Sequence, residues 1–122
     1  MDAEASGDVP RLVGDAFRAS GPEAGSVWRL EPSERGLDAN VIALPAGDEI
    51  RAHIGPELDV LIVVVSGSGT LETAAESIAL EAGGIVWLPP RSHRRFVAGD
   101  DGLRYFSVHA RKPGLGIRFP AR

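Results

Sequence analysis

Three histidines and a cluster of arginines carry most of the chemical reach of this chain. His53 follows Glu49 and Arg51 at alternate positions, so on a strand the three share one face. Ile50, Ala52 and Ile54 take the other face. The polar set can line a pocket mouth, or it can be the solvated side of a strand with an apolar back. Glu57 and Asp59 come soon after. Each can serve as a carboxylate ligand or a general base, or lie solvated in a loop that contains Pro56. Arg91, His93, Arg94 and Arg95 form a basic cluster in an acidic chain. Such a cluster holds a carboxylate or phosphate, or it balances Glu81, Asp100 and Asp101 at the surface. His109 alternates with Tyr105 and Ser107. The sequence leaves open whether that face or the Phe106 and Val108 face points inward.

Phe96 sets a phase. Arg94 shares its face, while His93 and Arg95 share the opposite one. If Phe96 fills a core, Arg94 points inward and His93 outward. A guanidinium stays protonated and offers no lone pair, so an inward Arg94 repels a cation and favours an anion. Nucleophilic chemistry has little support. The chain has no cysteine, which excludes disulfides and thiolate sites. Ser66, Ser68, Ser92 and Ser107 lack the Gly-x-Ser-x-Gly context of a nucleophile elbow.

The elements that must position these residues are short and β-rich. Strands are expected at Ser26–Leu30, Ala39–Leu44, Glu49–Ile54, Val60–Val65, Thr70–Thr73, Ile78–Glu81, Ile85–Leu88, Arg94–Ala98 and Leu103–Ala110. Turn residues separate them, among them Pro45-Ala46-Gly47-Asp48, Ser66-Gly67-Ser68-Gly69 and Gly99-Asp100-Asp101-Gly102. The aliphatic run from Val60 to Val65 reads as a strand buried on both faces. Pro10 to Ser20 can form one or two helical turns. Leu115, Ile117 and Phe119 give the tail an edge-strand or dimer-contact pattern. Eight to ten short strands at close spacing predict a sandwich or a closed barrel.

The order of turns resembles a cupin. Gly47-Asp48-Glu49-Ile50-Arg51-Ala52-His53, with the strand ending at Ser66-Gly67, is similar to the first cupin motif. Gly83-Gly84-Ile85-Val86-Trp87-Leu88-Pro89, with Arg91 to Phe96, is similar to the second. The resemblance implies an all-β, double-stranded β-helix, a cupin-like jelly-roll barrel. A short N-terminal arm (residues 1–20) precedes the barrel (residues 21–122). In metal-dependent cupins three imidazoles and a carboxylate converge inside the barrel. Carried over position by position, His53 holds the first imidazole place. Gly55 stands at the second, Val60 at the carboxylate and Arg94 at the third imidazole.

The leading expectation is a barrel that binds a small polar or anionic molecule without a metal, using His53, Arg94, Arg51, Glu49, Tyr105 and Phe96. A divergent metal enzyme of dioxygenase, isomerase or epimerase type is the alternative. It would hold a divalent transition metal with His53, Asp59, His93 and His109. A structural or regulatory module with no ligand is the third. The chain has 122 residues and a formal net charge of -4, which suits one ordinary domain and disfavours nucleic acid. No signal-like or membrane-spanning run is visible, so the expectation is a cytoplasmic protein with no membrane partner. A homodimer is an open possibility.

Overall fold

Closely spaced turn residues leave room for strands and not for helices, and strands fill the intervals. The computed structural model describes residues 9–21 and 25–111. Seven strands run in order: β1 (Gly25–Arg29), β2 (Leu37–Leu44), β3 (Glu49–Ile54), β4 (Val60–Glu72), β5 (Ser77–Glu81), β6 (Ile85–Leu88) and β7 (His93–Ala110). They form an antiparallel arrangement in the order β1-β2-β7-β4-β5, with β3 on β7 and β6 on β4. The long strands β4 and β7 run beside each other and carry all the others except β1, which pairs with β2.

Two expected turns are absent, which lowers the strand count from the eight to ten read in the sequence. Ser66 to Gly69 lies within β4, and Gly99 to Gly102 lies within β7. The glycines serve close approach of the two strands. A Cβ on Gly67, whose φ is +78°, would run into the carbonyl of Gly102, and one on Gly69 would meet the carbonyl of Val97. Gly is the residue that tolerates both demands. The pairing slips at these points, between Val64 and Ser66 and between Gly67 and Gly69. The long strands bend there without breaking.

The barrel interior is filled by alternate residues. Val60, Ile62, Val64 and Leu71 come from β4, and Phe96, Ala98, Leu103 and Tyr105 from β7. Burying an aliphatic side chain of this size stabilises the fold by roughly 1.5–3 kcal/mol. The in-between residues of β4 are less covered, and Leu61 is 43% exposed. Within one chain, β4 is therefore buried on one face and not on both.

Residues 9–21 of the N-terminal arm form no helix. They make a single turn at residues 16–18, where Asp15 Oδ1 accepts hydrogen bonds from the amides of Phe17 and Arg18. The arm lies over the outer side of the β1–β2–β7 sheet. Trp28 Nε1 donates to the Val13 carbonyl at 2.9 Å, and Arg104 Nη1 donates to the carbonyls of Ala16 and Ala19. A Cβ on Gly14 would collide with the Trp28 indole, so the arm needs glycine to pass. Beneath it Trp28 stacks on Phe106 at 6.3 Å, beside buried Val41. Leu115, Ile117 and Phe119 lie outside the described residues. Among the described residues no helix is long and apolar enough to cross a membrane.

Candidate functional site in the barrel

Strand β3 carries the first correction. Its pairing with β7 places Glu49 opposite Val97 and Ile50 opposite Phe96, then slips, so that His53 stands opposite Arg94 and Ile54 opposite His93. Opposed residues share a face. Ile50 therefore faces inward with Phe96, and the bulge turns His53 to the same side. Simple alternation would have kept His53 with Glu49 and Arg51. A β-bulge adds a residue and re-aims the side chains beyond it. His53 stands at the barrel mouth, exposed, with its Nδ1 2.9 Å from the Arg51 carbonyl.

Glu49 and Arg51 leave the expected pocket. Glu49 lies outside, bonded to Arg95 Nε at 2.8 Å, and Arg95 Nη1 also reaches Glu72 at 2.8 Å. Hydrogen bonds to Glu72 and then Glu49 hold the Arg95 pKa above its ordinary value. This surface triad is what neutralises Arg95, in place of Glu81, Asp100 or Asp101. Arg51 lies in the bulge, exposed.

Arg94 is the unusual group. It is 5% exposed, among the apolar residues of the core. Both hydrogen bonds of its head group come from Nη2, to Ser92 Oγ at 2.7 Å and to the Pro89 carbonyl at 3.5 Å. Nε is buried with no partner. No carboxylate of the described residues lies within salt-bridge distance of it. Burial lowers its pKa, and the nearby Tyr105 opposes that shift. The guanidinium sits over Gly55, where any Cβ would collide with its Cζ and Nη2.

Tyr105 and Phe96 complete the inner wall. Their rings stack at 4.8 Å with an interplanar angle of 15°. Burial pushes the Tyr105 hydroxyl well above the ordinary value of 10.0, against the opposing effect of Arg94. The folded state thus favours the neutral phenol. The contribution is fully present below the unfolded pKa near 10.0 and is lost as pH rises above it. Tyr105 is the only tyrosine, so tyrosinate absorbance reads it alone. That absorbance should appear only together with the loss of circular dichroism at high pH. A separate ionisation near pH 10 in folded protein would contradict the buried placement.

The remaining candidates scatter. Asp59 is exposed in the loop before β4. His93 opposes Ile54 on the outer side and borders an apolar concavity of about 310 Å³ with Trp87, Leu88 and Arg91. The Tyr105 face of β7 is the inner one, since Tyr105 is 5% exposed and Ser107 opposes buried Ile62. His109, further along that face, borders a different concavity of about 250 Å³ with Arg35, Asp38, Asn40 and Ser107. No group of three or more His, Cys, Asp or Glu among the described residues is placed to hold a metal ion. The residues around Arg94 do not fit one: a single imidazole faces a fixed cation, with Gly55 and Val60 in the neighbouring donor places.

The roles of two named residues escaped the sequence reading. Ser92 supplies the shortest bond to Arg94, yet lacks any motif. Arg91 adopts φ +56°, a left-handed conformation that glycine takes more easily. Its amide is held by the Pro56 carbonyl at 2.8 Å and Gly55 N by the Ser92 carbonyl at 3.0 Å, which locks the turn that presents Ser92. The second cupin motif that this stretch resembles runs Gly, five residues, Pro-x-Gly, which from Gly83 and Pro89 puts a glycine at the place of Arg91; that departure was the available signal. Arg91→Gly is expected to raise stability by about 1 kcal/mol, read as a higher denaturant midpoint. A lower midpoint would show that the side chain compensates the strain.

No family model matches the chain, and no curated protein does. Solved structures do. A cupin protein from Bacteroides fragilis is 23% identical with a TM-score of 0.58, over 66% of this chain and 70% of that one. A cupin 2 conserved barrel domain protein from Salinispora arenicola is 20% identical with a TM-score of 0.61, over 69% and 73%. One from Rhodopseudomonas palustris is 14% identical with a TM-score of 0.63, over 70% and 59%. At such identities the likeness carries the fold and not the chemistry. The strands from Gly25 to Ala110 therefore build a small cupin-fold jelly-roll barrel.

Proposed function

We propose that the barrel binds a small anionic molecule, with Arg94 as its anchor, His53 at the mouth and Tyr105 on the inner wall. The single observation behind this reading is the 5% exposed guanidinium with an unpartnered Nε and, among the described residues, no carboxylate within salt-bridge distance. A buried charge left unpaired is costly. An anion entering past His53 supplies the missing partner through charge-assisted hydrogen bonds. The arrangement supports binding and offers no paired acid and base for turnover. The fold likeness supports only the scaffold.

A thermal-shift panel of small carboxylates, phosphate and sulfate tests the proposal. A ligand that prefers the folded state stabilises it by mass action, by about 2.7 kcal/mol at a hundredfold excess over its Kd, and so raises the melting temperature. At least one anion should do so in a saturable way, and Arg94→Met should remove the effect. No saturable response to any anion would overturn the reading.

A further inference from the structure

On a straight strand Phe96 and Tyr105 would lie roughly 30 Å apart. Their ring centroids are 4.8 Å apart, so the two halves of β7 face each other across the barrel. Two residues farther from the bend on each half, the same faces present Arg94 and Ser107. The guanidinium therefore looks toward a second wall, and that wall is polar. Register sets Ser107 beside Asn40, and Asn40 beside Arg29. With Arg35 and Asp38 they border the concavity of about 250 Å³. Asp38 is matched by Arg35 Nε at 3.0 Å. Arg29 has no such carboxylate among the described residues, and its Nε donates to Ser26 Oγ at 3.4 Å. The Asn40 and Ser107 side chains are half-buried, and neither has a hydrogen-bond partner among the described residues.

We infer that this wall is a second acid-binding subsite and that the ligand of the barrel carries two acidic groups. One meets Arg94, and the other meets Arg29, Asn40 and Ser107. The inference rests on Arg94 as the anion anchor. Guanidinium, amide and hydroxyl all donate to a carboxylate. Facing sheets lie ~10 Å apart and neighbouring strands ~5 Å. The acids of the ligand are thus separated by on the order of 6–10 Å, the reach of a dicarboxylate of intermediate length. An apolar tail placed here would strip water from the polar groups and give nothing back.

Isothermal titration calorimetry of the protein with dicarboxylates from malonate to sebacate, each beside the monocarboxylate of its length, provides the test. A dicarboxylate between glutarate and suberate should bind at least about tenfold tighter than its matched monocarboxylate, the yield of one charge-assisted contact. Arg94→Met should weaken both series. Asn40→Leu and Arg29→Gln should each cut the dicarboxylate's advantage at least about threefold. Arg29 is exposed, so its variant keeps the fold even where Asn40→Leu does not. Three results overturn the inference and spare Arg94 as an anchor: equal affinities for the two series at every length, a dicarboxylate preference indifferent to both wall variants, or an Arg94-dependent response to phosphate or sulfate alone. Binding of no acid or inorganic anion removes anchor and second subsite together.

Discussion

Arg94→Met should raise the melting temperature of the ligand-free protein and abolish its response to anions. The two effects share one cause. In the free protein the guanidinium is held among apolar residues with Nε unsatisfied. Leaving a buried polar group unmade costs about 1–3 kcal/mol, more when it is charged. Methionine keeps much of the volume and carries no charge to desolvate. A gain of about 1–3 kcal/mol corresponds to several degrees at this size. The opposing contribution is the bond to Ser92 Oγ at 2.7 Å, an exchange with water that contributes less than the desolvation removes. Thermal denaturation with and without the best anion measures both effects together. A variant less stable than the parent, paired with an unchanged anion response, would make Arg94 a staple for the turn at residues 89–92 and nothing more. This trade of stability against binding is common where a site is held ready for its ligand.

The second large effect is predicted at Gly55. Alanine there places a methyl group against the Arg94 head. Overpacking of this kind costs about 1–3 kcal/mol, and it displaces the guanidinium that the proposed anion would meet. Gly55→Ala should therefore destabilise the fold and weaken anion binding at least tenfold. Adding Arg94→Ala should recover most of the lost stability, because the clash has lost its partner. The double-mutant cycle reads this coupling directly, at about 1–3 kcal/mol. Additive effects in the cycle would show that the head group swings away freely. The arrangement also explains why Gly55 cannot hold an imidazole here: the arginine fills the volume such a side chain would need.

The fold was legible because its signals are local. Alternation around Phe96, the turn at Pro45–Asp48 and the two cupin-like stretches all survive in the structure. Arg94 shares the buried face of Phe96 because no bulge lies between them. The failures come from register, which depends on the neighbouring strand. Alternation along β3 joins His53 to Glu49 and Arg51, but the slip against β7 after Ile50 separates them. The glycines at 67, 69, 99 and 102 look like turn formers, yet the first three serve contact between the two long strands and Gly102 passes close to the Leu44 carbonyl at the end of β2. A single sequence does not show what presses on a glycine. The same limit hid Ser92, whose role depends on the turn that Arg91 closes, and left the inner face of β7 undecided until Tyr105 was placed.

The most direct test of an anion-seeking guanidinium is the Nε–H resonance of Arg94 by nuclear magnetic resonance during titration with the best anion. A slowly exchanging proton should move downfield, saturate with the same affinity as the thermal response, and be missing in Arg94→Met. A resonance exchanging at the rate of bulk solvent, or one unmoved at saturating anion, would contradict it.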